Sequence, residues 1–406
     1  MTSSLRRSLT LLIALTLVVV GCSDSDESES AVSGTTPNSA APATTAAPTT
    51  TVAPTTTTLA DDPSPAELGD HAVGRRTITL VDEDRDGRAL AVDLWYPADA
   101  EAAAEAPAAV YSFIPGAEFT SEVAAADVPV EDGGPYPLVI YSHGSSGQRF
   151  VASDNAELLA SHGFVVAAPD HVGNTAFDAF LNSAVPQAQN AANRPADTAF
   201  VITELLAESA TDGTPLAGAI DPERIGLYGH SFGGYTALAA VSGRAEIPPD
   251  DRIVAVIAQA PVTGLITDAE LESVDVPTML QSGTRDRTVP VAQNTERPWE
   301  LVSGRPLYRV DIIDGGHQSF TDVCDYQALA PELPNAPALL VAFIDGFAVE
   351  GCAPELIDID TAHEIIDTYT LAFLLTHVAG DTSAEANLTP EYAETIPEIA
   401  YDLKVD

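Results

Sequence analysis

Short apolar runs alternate with longer, helix-like runs along most of the chain, from about residue 67 to the end. Apolar runs of roughly 4–8 residues bounded by Gly, Pro or charged residues are typical of buried strands. Strands that alternate with helices form a mostly parallel sheet with helices on both faces, so the pattern predicts an α/β fold. The strand-like runs that matter most for function are 138–142, 224–228, 253–259, 277–283 and 307–313.

An acidic loop separates two further strand-like runs, 76–81 and 89–94. Its sequence, Asp-Glu-Asp-Arg-Asp-Gly at 82–87, resembles part of a calcium-binding loop. Asp-Gly between two strand-like runs is first of all a hairpin turn, so we predict an antiparallel hairpin. No zinc, nucleotide or flavin signature occurs in the sequence, so we expect neither a metal nor a cofactor.

Two segments do not fit the regular alternation of strands and helices. The Ala-rich stretch 98–134 is predicted to be an insertion near the substrate entrance or an excursion over the surface. The stretch 173–194 contains Phe177 and Phe180, which predicts either a lid over the site or ordinary packing against the core.

The sequence Gly-His-Ser-Phe-Gly-Gly at 229–234 follows the run 224–228 and precedes a helical pattern that should end near Gly243. A G-x-S-x-G motif between a buried strand and a helix is a nucleophile elbow. The glycines are needed because so tight a turn leaves no room for Cβ atoms, and the turn pushes the serine hydroxyl into a pocket. Ser231 is therefore the candidate nucleophile.

A serine hydroxyl needs a base to take its proton, and the base is usually a histidine that a carboxylate holds in place. The chain order with this elbow is serine, acid, histidine, which limits the search to the sequence after Ser231. Three of the eight histidines lie there: His317, His363 and His377. His317 follows the run 307–313 on a Gly-rich loop, whereas the other two lie in a helical stretch. We predict that His317 is the base.

The acid should follow one of the strands that lie between the serine and the histidine. The first of these, 253–259, has no carboxylate close behind it, whereas Asp286 comes directly after the second, 277–283. Asp286 is therefore the predicted orienting acid, with a surface ion pair to its flanking arginines as the alternative. Asp311 and Asp314 are the fallback acids, although their closeness to the histidine favours local roles.

The oxyanion of a tetrahedral intermediate needs two backbone N–H donors. One should be the N–H of Phe232, the residue after the nucleophile. The other should come from the loop after the run 138–142, whose sequence His-Gly-Ser-Ser-Gly can curl over the site. We predict the N–H of Ser145, with Gly144 as the alternative, and a structural role for His143.

These motifs resemble platelet-activating-factor acetylhydrolase-like enzymes and the wider group of dienelactone-hydrolase-like and bacterial cutinase-like polyester hydrolases. The resemblance extends from about residue 75 to the end and rests on the segments 91–97, 139–144, 159–171, 221–226, 229–234 and 316–320. It implies the α/β-hydrolase fold and hydrolysis of carboxylic esters with short acyl groups through an acyl-enzyme. Where the acetylhydrolases place the acid, this chain has Gln259-Ala260-Pro261, and Asp286 matches the dienelactone-hydrolase and cutinase-like position.

The N-terminal residues predict export and a lipid anchor. Arg6 and Arg7 precede an apolar run, 9–20, whose 12 residues are too few to span a bilayer but suit a signal peptide, 1–21. The run leads into Val-Val-Gly-Cys, which resembles a bacterial lipobox, so we expect lipidation of Cys22 after cleavage. The alternative is an ordinary signal peptide with a chance cysteine.

The next segment, 22–66, consists mainly of Ser, Thr, Pro and Ala, a composition that cannot build a core and stays disordered. We interpret it as a tether between the membrane and one catalytic domain, 67–406. The expected location is the cell envelope outside the cytoplasm, as a membrane-anchored lipoprotein.

Cysteine content and charge refine this interpretation. The chain has three cysteines, and lipidation of the first leaves Cys324 and Cys352 as an even pair in an exported domain. We predict a disulfide between them, with two reduced buried thiols as the alternative. The formal net charge of −43 excludes nucleic acid as a partner, because its phosphates would be repelled.

The sequence thus predicts an exported, lipid-anchored serine hydrolase that acts on small ester or lipid substrates. Two other functions stay open. One is a non-catalytic surface lipoprotein that retains the fold as a binding module. The other is a peptidase or thioesterase, because acyl-transfer chemistry does not name the leaving group.

Overall fold

The computed structural model describes residues 66–244 and 247–406, which fall within one compact unit, Asp61–Asp406. The predicted signal peptide, Cys22 and all but the last residue of the predicted tether lie outside the described residues. In the described part of the chain, no helix combines the length and the apolar character needed to cross a membrane.

One mixed sheet of 11 strands runs through the described domain. The strands are β1 (Ala72–Asp82), β2 (Arg88–Ala98), β3 (Ala108–Ile114), β4 (Ala117–Ala126), β5 (Tyr136–Ser142), β6 (Val165–Pro169), β7 (Ile220–His230), β8 (Ile253–Gln259), β9 (Thr278–Gly283), β10 (Leu307–Ile312) and β11 (Ile399–Lys404). Their order across the sheet is β11-β10-β9-β8-β7-β5-β6-β2-β1-β4-β3. The six neighbouring strands from β10 to β6 are all parallel. The predicted mostly parallel sheet is therefore confirmed.

Helices cover both faces of this sheet. The described α-helices are α1 (Ala100–Glu105), α2 (Ser153–Ser161), α3 (Ala176–Leu181), α4 (Gln187–Ser209), α5 (Phe232–Ser242), α6 (Asp268–Glu272), α7 (Val291–Asn294), α8 (Glu296–Leu301), α9 (Val323–Leu329), α10 (Ala338–Ala348), α11 (Ile359–Leu374) and α12 (Pro390–Ala393). Because side chains alternate along a strand, β5 sends Val139 and Tyr141 into one core and Leu138 and Ile140 into the other. Helices α2 and α11 pack into the first core, and α4 and α5 into the second. This arrangement is the α/β-hydrolase fold that the resemblance implied.

The strand-like runs around the predicted site correspond to β5, β7, β8, β9 and β10. The helix after the elbow ends at Ser242, and Gly243 caps it with a φ of 74° that favours glycine. The acidic loop near residue 85 joins an antiparallel hairpin of β1 and β2, as predicted, and the Asp82 carboxylate accepts N–H bonds from within the loop.

The segments 98–134 and 173–194, which did not fit the regular alternation in the sequence, form strands and helices of the described domain. Within 98–134, β4 pairs in parallel with β1, and β3 pairs with β4, so this segment extends one edge of the sheet. Within 173–194, α3 leaves Phe177 and Phe180 about half exposed, at 48% and 53%, rather than packed in the core. The antiparallel edge strand β11, next to β10, was not predicted from the sequence.

Candidate active site

The backbone at Ser231 has the strained geometry of a nucleophile elbow. Ser231 lies between β7 and α5 with φ 59° and ψ −113°, a conformation that a residue with a Cβ rarely adopts. The turn needs small neighbours: a Cβ on Gly229 would lie 2.5 Å from the carbonyl oxygen of Ser142, and one on Gly233 only 1.7 Å from it. The strand-turn-helix therefore holds the Ser231 side chain at the carboxyl end of the parallel strands, where such folds bind ligands.

Ser231, His317 and Asp286 form one hydrogen-bonded line. The Oγ atom of Ser231 lies 3.0 Å from Nε2 of His317, and Nδ1 of His317 lies 2.7 Å from Oδ2 of Asp286. All three side chains are buried. A carboxylate at Nδ1 keeps the proton on that nitrogen and leaves Nε2 free to accept a proton from the serine hydroxyl. This arrangement can activate Ser231 as a nucleophile.

The second oxygen of the Asp286 carboxylate is also held. Its Oδ1 accepts the N–H of Val289 at 2.6 Å, which closes the loop after β9 and fixes the carboxylate toward the histidine. The fallback acids serve other partners. Asp311 bonds to Ser282 and Arg309, whereas Asp314 is half exposed and forms an ion pair with Arg285 at 2.6 Å.

His230, the residue before the nucleophile, supports the histidine loop, a role that no motif in the sequence indicates. Its ring is fully buried with its centroid 4.6 Å from that of His317, and burial lowers the pKa of His230 well below its ordinary value. A neutral ring carries one N–H, and the Nε2 atom lies 2.8 Å from the carbonyl oxygen of His317. The Nε2–H group therefore donates to that carbonyl and anchors the loop to the elbow.

The loop after β5 lies against the nucleophile. A Cβ on Gly144 would lie 3.3 Å from Cβ of Ser231, and Ser145 lines the same cavity as Ser231. Phe232 is buried at the first position of α5. The structure thus brings both predicted oxyanion residues, Ser145 and Phe232, to the side of the nucleophile.

His143 supports this loop from the inside. Its Nε2 accepts the backbone N–H of His171 at 3.1 Å, so the proton of the neutral ring is on Nδ1, which donates to the carbonyl oxygen of Gly144 at 2.7 Å. Burial, with the nearby charge of Arg194, keeps the pKa of His143 well below its ordinary value. The other two candidate histidines lie outside this hydrogen-bonded line: His363 is 3.3 Å from the carbonyl oxygen of Thr321, and His377 is 3.0 Å from the hydroxyl of Tyr308.

A cavity of about 580 Å³ opens beside Ser231 and His317. Its polar end is formed by the two catalytic candidates and the loop after β5, and the rest is mainly apolar. The apolar lining consists of Phe113, Val151, Ala176, Val323, Tyr326, Leu340, Phe343, Ile344, Phe347 and Val349. Most of these residues lie within 323–352, a segment made of α9, α10 and their connections that we call the cap.

The cap was missed in the sequence, where only the stretch around Phe177 was considered as an apolar lid. A disulfide joins Cys324 near the start of the cap to Cys352 at its end, with a Cα–Cα distance of 5.5 Å. The cap also contacts the loop of His317 directly, because the N–H of Gln318 donates to the carbonyl oxygen of Glu350 at 2.8 Å. The disulfide-linked segment therefore supports both the cavity wall and the loop of His317.

No group of His, Cys, Asp and Glu side chains suited to hold a metal ion occurs among residues 66–244 and 247–406. The chemistry available at Ser231 is that of a nucleophilic hydroxyl with a histidine base, beside backbone N–H groups.

Part of the chain is similar in sequence to known enzymes. The sequence profile of the family described as platelet-activating factor acetylhydrolase, isoform II, matches residues 117–200, which include the loop of Ser145 but end before Ser231. The chain is 28% identical over 148 residues to platelet-activating factor acetylhydrolase of Cavia porcellus and 29% identical over 150 residues to that of Canis lupus familiaris. Each match covers 28% of this chain and 34% of the relative, so it spans about a third of the length of these relatives.

A solved structure is similar over a larger share of the chain. Ferulic acid esterase from Streptomyces cinnamoneus superposes with a TM-score of 0.60 at 25% sequence identity, and the match covers 81% of this chain and 96% of that one. The fold and the site thus define an α/β-hydrolase. More narrowly, part of the chain is similar to platelet-activating factor acetylhydrolases, and a larger share of it is similar in structure to a ferulic acid esterase.

Proposed function

We propose that this protein is a serine esterase that hydrolyses carboxylic esters with short acyl groups through an acyl-enzyme. The observation that carries the proposal is the hydrogen-bonded line from Asp286 through His317 to Ser231, which ends in a cavity large enough for a small ester.

The reaction has two steps at one carbonyl carbon. In the first, Oγ of Ser231 attacks the ester carbonyl while Nε2 of His317 takes the hydroxyl proton, and Asp286 stabilises the imidazolium that forms. The tetrahedral intermediate collapses, the bond to the alcohol oxygen breaks, and His317 gives the proton to the leaving alcohol. In the second step His317 takes a proton from a water molecule that attacks the acyl carbon, the bond to Oγ of Ser231 breaks, and His317 returns the proton to Oγ as the carboxylic acid leaves.

The backbone N–H groups of Phe232 and Ser145 are the proposed donors to the oxyanion in both steps. Their residues flank Ser231 from α5 and from the loop after β5. Removing one such donor typically costs a factor of roughly 10²–10³ in kcat.

The distribution of apolar surface favours a compact substrate. The cavity next to the nucleophile has small residues, Ser145 and Ser146, whereas most of the aromatic lining residues belong to the cap. An acyl group of a few carbons fits the small end, and an apolar alcohol portion would lie against Phe343 and Phe347. Each CH₂ group that cannot be buried forfeits about 0.8 kcal/mol of binding free energy.

A chain-length series of p-nitrophenyl esters tests the substrate class. We expect acetate and butyrate to be hydrolysed with higher kcat/KM than palmitate, without added metal or cofactor. A clear preference for palmitate would contradict the short-acyl proposal and would indicate a lipase.

A pair of cap variants tests whether the cap forms part of the substrate site. Phe343→Ala removes an aromatic ring that lines the cavity, so KM for bulky apolar esters should rise several-fold. Leu339→Ala is the matched control on the same helix, because Leu339 is 61% exposed and does not line the cavity. Equal effects of the two substitutions would contradict a substrate-binding role of the cap.

Two other functions predict different results with a fluorophosphonate probe. A binding module without catalysis would leave Ser231 unlabelled, whereas any serine hydrolase would be labelled. A peptidase or thioesterase would be labelled but would hydrolyse amide or thioester substrates with higher kcat/KM than matched oxygen esters.

We further propose that the enzyme is exported and anchored through lipidated Cys22, with the segment 22–66 as the tether. The support is the lipobox-like sequence Val-Val-Gly-Cys after the apolar run 9–20. Mature protein should partition with membranes, and Cys22→Ala should release it into the soluble fraction. Membrane association that survives this substitution would contradict the anchor.

A further inference from the structure

A fully buried arginine, Arg194 of α4, lies beneath the loop that follows β5. Burying a guanidinium is costly unless its N–H groups are hydrogen-bonded, so its partners show what the burial achieves. These hydrogen bonds go to oxygen atoms of the loop, of Ser142 at the end of β5 and of Asn174 rather than to a carboxylate. Burial lowers the pKa of Arg194 to about 9, against the attraction of Asp197, so the side chain is still charged at neutral pH.

Two successive carbonyl groups of the loop accept hydrogen bonds from the guanidinium. Nη1 of Arg194 donates to the carbonyl oxygen of His143 at 2.5 Å, and Nη2 donates to that of Gly144 at 3.1 Å. The side-chain oxygen of Asn174 holds the guanidinium in place, because it accepts from Nε at 3.1 Å and from Nη2 at 2.7 Å. The carbonyl oxygen of Gly144 also accepts from Nδ1 of His143 at 2.7 Å and from the N–H of Gly147 at 3.2 Å.

These bonds fix the direction of the peptide unit between Gly144 and Ser145. In a trans peptide the C=O and N–H of one unit point in opposite directions, and the cis bonds of the described residues lie elsewhere, at 134–135 and 305–306. The Gly144 carbonyl points toward Arg194 in the core. The N–H of Ser145 therefore points away from the core, on the side of the cavity that Ser145 and Ser231 line.

The same arginine contacts the other predicted oxyanion residue. Its guanidinium carbon lies 4.9 Å from the ring centroid of Phe232. Phe232 is the first residue of α5 and directly follows the nucleophile. The carbonyl oxygen of Gly144 accepts hydrogen bonds from the charged guanidinium of Arg194 and from the imidazole N–H of His143. These donors polarise the peptide unit and make the N–H of Ser145 a stronger donor.

We propose that Arg194 is a positioning residue of the oxyanion hole: it aims and polarises the Gly144–Ser145 peptide and packs against Phe232. The proposal rests on the proposed esterase function. It deepens that function by assigning to α4 a side chain that acts through the backbone donors without touching the substrate.

Kinetics of Arg194→Met with p-nitrophenyl acetate test this role, since methionine removes the charge and donors while keeping an apolar stem. We expect kcat to fall roughly 10- to 100-fold with KM within about threefold of wild type, because the oxyanion forms only after binding. Affinity for a trifluoromethyl ketone, which adds to the serine and bears an oxyanion, should fall by a similar factor. A kcat within twofold of wild type in folded protein would overturn the proposal, as would a rise in KM alone.

Arg75→Met is the matched control for loss of a buried arginine. Arg75 is 6% exposed and pairs with Asp93 at 2.5 Å in the hairpin, and its hydrogen bonds go to Val110, Thr77 and Asp93 rather than to the carbonyl groups of the loop. Both substitutions should lower the melting temperature, but only Arg194→Met should lower kcat and the affinity for the trifluoromethyl ketone. An equal loss of kcat in the control would show a general effect of destabilisation and would overturn the positioning role.

Arg194→Lys gives an answer even if the methionine variant does not fold. An ammonium retains the charge but lacks the planar fork that reaches two carbonyl oxygens and Asn174 together. We expect the lysine variant to have a several-fold lower kcat with KM retained. A wild-type kcat would show that the planar guanidinium is not required and would overturn this part of the proposal. Failure of wild-type protein to react with a fluorophosphonate probe would instead overturn the esterase proposal itself, so the two failures are distinguishable.

Discussion

The Oδ2 atom of Asp286 lies 2.7 Å from Nδ1 of His317, across 31 residues of sequence, while Oδ1 of the same carboxylate accepts the N–H of Val289. Two fixed oxygens leave the carboxylate little freedom to turn. Asp286 follows β9, whereas the resemblance to acetylhydrolases would place the acid after β8. Strand β8 ends instead in Gln259, whose side chain donates a hydrogen bond to Gln281.

Asp286→Asn should lower kcat by roughly 10⁴, because an amide at Nδ1 favours the histidine tautomer that cannot accept the serine proton. The measurement is steady-state hydrolysis of p-nitrophenyl acetate, with circular dichroism to verify the fold. Asp314→Asn is the control, since Asp314 is half exposed and pairs with Arg285. If Asp314→Asn lowers kcat by orders of magnitude and Asp286→Asn changes kcat only slightly, Asp286 is not the orienting acid.

Local motifs were enough to select the residues that the structure brings together at Ser231. A tight turn between strand and helix, and Gly-rich loops at strand ends, are features of a few neighbouring residues and so leave a clear trace in sequence. The fold class could be predicted for the same reason, from runs of apolar residues.

Arg194 and the cap could not be predicted in this way. A single arginine in an Ala-rich helix gives no sign that it is buried beneath a loop 50 residues earlier, since burial depends on tertiary packing. The apolar helix α10 has a pattern that suits a core helix equally well, and only its position beside His317 shows that it walls a cavity. Strand β11 was missed because it is an edge strand with no fully buried residue, so it lacks the nearly continuous burial that marks β9 and β10.

Glu157→Gln should stabilise the protein at neutral pH. Glu157 is buried in α2 and accepts hydrogen bonds from Tyr111 at 2.5 Å and Ser121 at 2.7 Å, and burial raises the pKa of its carboxyl to about 6. A raised pKa in the folded state means that the fold holds the proton more tightly, so stability falls as pH rises from about 4 to about 6.

Urea denaturation at pH 4 and pH 7.5 measures this effect. The glutamine variant should gain up to about 2 kcal/mol relative to wild type at pH 7.5 and little at pH 4. Glu101→Gln, at an exposed position in α1, is the control and should change stability equally at the two pH values. A gain that does not depend on pH would argue against an unfavourable buried charge at Glu157.

Loss of the disulfide should loosen both the cap and the histidine loop. The bond closes a loop of sequence separation 28, and a loop of this length predicts roughly 3 kcal/mol of stabilisation. The double variant Cys324→Ser/Cys352→Ser should therefore melt at a lower temperature and have a higher KM for bulky esters. In wild type, both thiols should resist alkylation until a reductant is added, and free alkylation of folded, unreduced protein would contradict the bond.

Mass mapping of a fluorophosphonate adduct is the direct test of Ser231 as the nucleophile. We expect a single adduct on the peptide that contains Ser231, none in Ser231→Ala, and a fall in kcat of several orders of magnitude in that variant with the fold unchanged. An adduct on another residue, or activity near wild type in Ser231→Ala, would contradict it.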